Sequence, residues 1–177
     1  MKRIGSYEAI ADTGRTLLKL LRDRLTPYPV PHPELIGLSG PAERGDFNLT
    51  LFLYQIRENP EYRLQTGRPG GLPPLALDLC YLMTAHSTAE AQTRMLDEHR
   101  ILGRAVQTFH ENGILQGSML EGTLAEHGES LRIVRESVPT DMLNTLFWQM
   151  PYRLSVAYQV GPVYVDPGGG TSVPRVL

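Results

Sequence analysis

The stretch Pro73-Pro74-Leu75-Ala76-Leu77-Asp78-Leu79-Cys80-Tyr81-Leu82-Met83-Thr84-Ala85-His86 decides the fold. Leu75, Leu77, Leu79, Tyr81 and Met83 alternate along one side, and Ala76, Asp78, Cys80, Leu82 and Thr84 fall on the other, the period of two that a β-strand imposes. Both sides are largely apolar, so the strand needs cover on both, from helices or from a second sheet. Each large side chain taken out of water contributes roughly 1.5–3 kcal/mol. Five on one side outweigh any local preference for turn or helix, and the rest of the chain reads as what surrounds this strand.

The neighbouring strand signal is residues 47–57, with Phe47, Leu49, Leu51 and Leu53 on one side and Asn48, Thr50, Phe52, Tyr54 and Ile56 on the other. At about 3.3 Å per residue such a strand runs beyond roughly 30 Å, longer than usual, and its far end is expected to project from the body. Between the two strands, residues 58–72 hold Asn59-Pro60, Arg63 and Gly67-Arg68-Pro69-Gly70-Gly71, too long for a tight hairpin and too glycine-rich for a helix. This segment is expected to be an arm that orders on a neighbouring chain or a plain exposed loop. It lacks the Gly-x-x-x-x-Gly-Lys-Ser/Thr pattern of a phosphate cradle.

Apolar residues at spacings of three and four mark two amphipathic helices. In the first, Ser6 is the expected cap, Tyr7, Ile10, Gly14, Leu17, Leu21 and Leu25 form the buried stripe, and Arg15, Lys19, Arg22 and Arg24 form a solvated face. Pro27, Pro29, Pro31 and Pro33 then predict an extended, stiff connector. In the second, residues 88–112, the expected stripe is Ala91, Met95, Leu102, Val106 and Phe109 with His99 on the same side, and mid-helix Gly103 suggests close approach to the sheet. A short strand at 35–38, an irregular run at 114–120, a loop at 121–129, a strand at 131–136 and a short helix at 142–150 carrying Trp148 complete the middle. The final strand, 152–160, is interrupted at Gly161-Pro162 before Val163-Tyr164-Val165, as proline does at an edge or a bulge. The expected organisation is one α/β domain over residues 1–165 and a flexible Gly/Pro-rich tail over 166–177.

With 177 residues, 41% hydrophobic and 20% charged, the chain has the balance of a single globular domain. A formal charge of −2 offers no global field for nucleic acid or an anionic membrane. The single cysteine, Cys80, excludes an internal disulfide and any multi-cysteine metal site, and fits a reducing, cytoplasmic setting. No apolar run approaches the roughly 20 residues of a membrane span, and the N-terminal residues do not resemble a cleavable leader.

The search for chemistry is short. The five histidines, His32, His86, His99, His110 and His127, form no His-x-x-x-His pair, and no nucleophile elbow or dinucleotide fingerprint is present. His99 sits beside Asp97 and Glu98, where a histidine is usually hydrogen-bonded. Cys80 lies in an apolar strand, where a thiol is inert. Asp78, a carboxylate in a buried strand, needs a partner, expected to be Arg100, Arg104 or Arg153. A hydrolase or ligand site near Asp78, Cys80 and His99 is the rival reading from the enzyme class, and a monomeric adaptor is another.

Four blocks carry a resemblance: Leu51-Phe52-Leu53-Tyr54-Gln55-Ile56-Arg57-Glu58-Asn59-Pro60; the run from Pro73 to Ala85; His99-Arg100-Ile101-Leu102-Gly103-Arg104-Ala105; and Tyr152-Arg153-Leu154-Ser155-Val156-Ala157-Tyr158. In this order the chain resembles the cap or tail-terminator proteins of phage-tail-like extracellular contractile injection systems. The resemblance implies an α/β fold with a mixed, mainly antiparallel β-sheet flanked by α-helices. It also implies a structural cap without enzyme activity or cofactor, built as a ring, a hexamer, that closes the inner tube and engages the terminal sheath ring. The implied partners are further copies of the chain, tube protein and sheath protein; the implied location is the cytoplasm at assembly, then the particle. Such a ring needs two different patches on each chain. The donors expected from the residues are the arm, with Arg57, Tyr62, Arg63 and Arg68, and the projecting end of the strand that starts at Phe47, and the expected acceptor is the final strand, by edge pairing.

Overall fold

The computed structural model describes residues 6–43, 45–62 and 72–167. The alternating run is the strand Leu75–Ala85, here β3, the longest among the described residues together with Ser155–Val165, β6. Four others complete the sheet: β1 (Ile36–Leu38), β2 (Leu49–Glu58), β4 (Ile114–Gln116) and β5 (Ser130–Glu136). Their order is β1-β2-β3-β6-β5-β4, with β1 parallel to β2 and every other pairing antiparallel. The fold is therefore mixed α/β with a mainly antiparallel sheet.

This order corrects one expectation. The final strand is not an edge but the centre, hydrogen-bonded to β3 on one side and β5 on the other. Gly161-Pro162 does not end it either. The ladder steps from Leu77↔Val163 to Leu79↔Val160, so two residues of β6 face one of β3, a bulge that absorbs the proline. The edges are β1 and β4.

Among the described residues four α-helices pack around the sheet: α1 (Ala9–Leu25), α2 (Ala91–Glu111), α3 (Gly122–His127) and α4 (Thr140–Leu146). The first sheet face, with Leu79, Tyr81 and Met83, meets Leu17, Leu21 and Leu25 of α1 and Ile101, Leu102, Ala105 and Phe109 of α2 in one core. Leu131, Val160 and Val163 extend it across the sheet, and the Phe109 ring meets Tyr158 edge-on at 4.9 Å. Among the described residues the second face is covered at one end, where Phe147 packs on Leu82 and Ala157 with Phe52, Leu143 and Leu146 around them. Cover on both sides was demanded by the sequence of β3, and α4 supplies the second in part.

Other differences have local causes. Residues 121–129 contain α3, not a loop, and 114–120 hold β4 and a 3-10 turn, Gly117–Met119. The proline-rich connector is turned rather than extended: the Val30 amide donates to Leu25 O at 3.0 Å and its side chain is fully buried. The first half of α2 runs past the sheet, leaving Met95 67% exposed and His99 exposed, so the stripe begins at Ile101. A Cβ at Gly103 would meet nothing within 4 Å, so no close approach explains that glycine. The basic side of α1 is also used: Arg22 donates from Nε and Nη2 to Ile36 O, and Lys19 pairs with Glu121 at 2.8 Å. Among the described residues no helix is long and apolar enough to cross a membrane.

Candidate assembly surfaces

The expected arm leaves from the end of β2, and Asp78 organises its departure. Asp78 is 8% exposed on β3, with its carboxylate at the β6 bulge. Its partner is none of the expected arginines. Asn59 Nδ2 donates to both carboxylate oxygens, at 3.0 and 3.2 Å, and the Asn59 amide donates to Ala76 O at 2.8 Å. Asn59 Oδ1 in turn accepts the Glu61 amide at 3.0 Å, which starts the 3-10 turn Pro60–Tyr62. One side chain thus closes the ladder and sets the turn that follows it, Pro60–Tyr62. The bulge accommodates this because residue 161 is glycine: a Cβ there would fall 2.5 Å from Asp78 Oδ1 and 2.8 Å from Leu77 O.

The four arm residues have different situations. Tyr62 is 44% exposed at the end of the 3-10 turn. Arg63 and Arg68 lie outside the described residues. Arg57 reaches across the second sheet face, where its Nη2 donates to Glu136 Oε1 on β5 and, at 2.9 Å, to Gln159 Oε1 on β6. Tyr54 donates its hydroxyl to the other Glu136 oxygen at 3.3 Å. This network ties β2 to β6 and β5 over the top of β3. The Glu136 carboxylate raises the Arg57 pKa, and burial together with Glu136 pushes the Tyr54 hydroxyl up to about 12. Arg57 therefore acts first within its own chain, with part of its side chain still open to solvent.

The enzyme-class site is not assembled. Cys80 is fully buried, and burial first, then Glu136, pushes its thiol up to about 11, the opposite of an activated nucleophile. His99 is exposed on α2, which packs on the first face, whereas Asp78 and Cys80 face the second. The cleft beside α4, about 220 Å³, is lined by Leu82, Val138, Leu143, Ala157 and the Arg135-Glu136 pair; the one between α2 and β5, about 270 Å³, by Phe109, Ile133, Tyr158, His110 and Arg135. Neither contains Asp78, Cys80 or His99. Among the described residues no three His, Cys, Asp or Glu side chains gather as a metal site.

A polar centre that sequence reasoning missed joins α1 to α3. Asp12 is 1% exposed on α1, and its Oδ2 accepts the Thr123 amide at 2.9 Å and the Thr123 hydroxyl at 2.8 Å, while Arg15 Nη1 donates to Oδ1 at 2.5 Å. Burial alone would raise this carboxyl, but the Thr123 and Arg15 bonds outweigh it and hold it below the usual range. Asp12 thus caps a helix that lies far along the chain. The available signal was Gly122, which adopts φ +56° and would set a Cβ 2.4 Å from Asp12.

These features belong to a known framework, since the model of the Pvc16 N-terminal domain matches residues 12–177. The chain belongs to the Pvc16 N-terminal domain family. A solved structure described as an extracellular contractile injection system, PVC sheath/tube terminator in the extended state, has a similar fold, with a TM-score of 0.60. At 17% identity that similarity covers 92% of this chain and 58% of the other, so this Pvc16-type chain spans little more than half of its structural neighbour. No curated protein matches the sequence.

Proposed function

We propose that the chain is a structural terminator subunit: a ring, six copies, that closes the end of the inner tube of a contractile injection system and engages the terminal sheath ring. The observation that carries this reading is the Pvc16 N-terminal domain match over residues 12–177. It is supported by the likeness in fold to a sheath/tube terminator over 92% of the chain. The subunit assembles in the cytoplasm and becomes part of the particle. Its partners are copies of itself, tube protein and sheath protein, and the role requires no catalysis, cofactor, nucleic acid or membrane.

We assign the contact to the segment that follows Asn59, with Tyr62, Arg63, Arg68 and the solvent-facing part of Arg57 as its contact residues. A ring contact is heterologous, so the arm of one copy meets a different patch on the next. The β1 and β4 edges are the places where a sheet accepts an added strand. The deciding experiment is electron microscopy of particles from cells lacking this chain. Tubes of uncontrolled length or with open ends are expected; tubes of normal length with closed ends would reject the terminator role. Removing residues 60–71 while keeping the fold tests the arm alone, with loss of capping as the expected result and normal capping as the contrary one.

A further inference from the structure

We propose that Glu129 makes the junction between α3 and β5 a proton-controlled latch: its neutral carboxyl seats the junction, and its ionisation favours release. Helix α3 ends at Gly128, which takes the left-handed conformation at φ +61°, and the next residue, Glu129, turns the chain into β5. The Gly128 amide donates to Ala125 O at 3.2 Å and the Glu129 amide to Leu124 O at 3.1 Å, closing the turn. Alternation along β5 places Glu129 on the side of Leu131 and Ile133, toward the core.

Its carboxyl is in an unusual position for that face. The side chain is only 6% exposed, and neither carboxylate oxygen has a hydrogen-bond partner among the described residues. The groups facing it are His127 at the end of α3, whose Nδ1 stands 3.8 Å away, beyond hydrogen bonding, and Tyr164 on β6. From α1, Asp12 faces the opposite end of α3, and β4 brings Gln116, which does not titrate, opposite Ser130. A buried carboxylate with no donor disfavours its charged form, and burial accordingly pushes this carboxyl up to about 7 from 4.5.

The sign follows from linkage. With its pKa raised in the closed state, Glu129 contributes stability that is complete below about pH 4.5 and is lost as pH rises to about 7. Opening over that window releases one proton, so its equilibrium grows about tenfold per pH unit and levels off above pH 7. The junction supports β5, whose outer neighbour is the edge strand β4. A neutral medium therefore loosens the edge at which another chain adds a strand, and a mildly acid one fastens it.

Hydrogen exchange of the full chain between pH 5 and 8, corrected for intrinsic amide rates, tests this at the Gly128 and Glu129 amides. Opening that rises about tenfold per unit to pH 7 and is flat in Glu129→Gln is the expected result; equal slopes in both proteins, or none in either, overturn the latch. A ¹³C titration of the Glu129 carboxyl in the native chain decides independently of whether the variant folds, with a midpoint near 7 in favour and one near 4.5 against. If His127→Asn abolishes the slope and Glu129→Gln keeps it, the imidazole is the sensor and the proposal fails.

Discussion

Replacing Asp12 with alanine removes three hydrogen bonds at once and leaves the Thr123 amide and hydroxyl without their acceptor. We predict a loss of about 2–3 kcal/mol in urea unfolding at pH 7. The pH dependence has a fixed sign. Because the folded-state carboxyl is held below 3.8, Asp12 contributes stability above that value and loses it as pH falls below about 4. The gap between native and Asp12→Ala should therefore narrow in acid, and a constant gap down to pH 2 would contradict the assignment. Gly161→Ala brings a Cβ against Asp78 and the Leu77 carbonyl, for which a loss of about 1–3 kcal/mol is expected from overpacking. Asp12 did not stand out in the sequence, since it finds Thr123 only after the chain has folded back over more than a hundred residues, and Gly161 stood out only as a break in the strand, not as room for Asp78. Asp78 announced a need for a partner through its place in an apolar strand, but nothing in alternation says whether an arginine or a nearby asparagine meets that need.

At the scale of elements, α2 offers the sharpest test. Gly103 sits in an exposed helical turn with open space where its Cβ would be, so Gly103→Ala should stabilise the isolated chain by about 0.5–1 kcal/mol, read by thermal or urea unfolding. A destabilised variant would show that the position is constrained in a way its surroundings do not reveal. The Arg57-Glu136 pair tests the polar network of the second face. A double-mutant cycle with alanine at each site should give a coupling of about 0.5–1 kcal/mol in the free chain, modest because Arg57 remains 40% exposed. Zero coupling would mean that Arg57 is held for something outside its own chain.

Long elements were legible in the sequence because each repeats one physical demand many times. Leu75 to Met83 declare a strand five times over, and Leu17, Leu21 and Leu25 declare a helix face. Short ones were not: β4 has three residues and α3 six, and both take their form from partners that periodicity does not show. The stripe of α2 was read correctly from Leu102 to Phe109, whereas Met95 and His99 keep the same phase after the sheet beneath them has ended. Phase gives the side of a helix, and only packing gives how far it is covered.

On the scale of the whole molecule, the exit from β2 combines both cases. Asn59-Pro60 after β2 stood in the sequence as a break, while the brace there, Asn59 on Asp78 with Gly161 behind, joins the end of β2 to the interiors of β3 and β6. The sheet itself divides into two halves, β1-β2-β3 and β5-β4, each closed by its own local pairings, with β6 between them. We predict that a chain ending at residue 154 loses cooperative unfolding altogether. A truncated chain that still unfolds in a single sharp transition would show that the halves are independently stable.

The position of β6 also bears on synthesis. A nascent chain leaving the ribosome exposes β3 and β5 as two open flanks until the residues from Ser155 onward emerge, and each flank is a template for the wrong neighbour. Closure waits for β6, so both flanks stay open to wrong neighbours from their own emergence until Ser155–Val165 has been made.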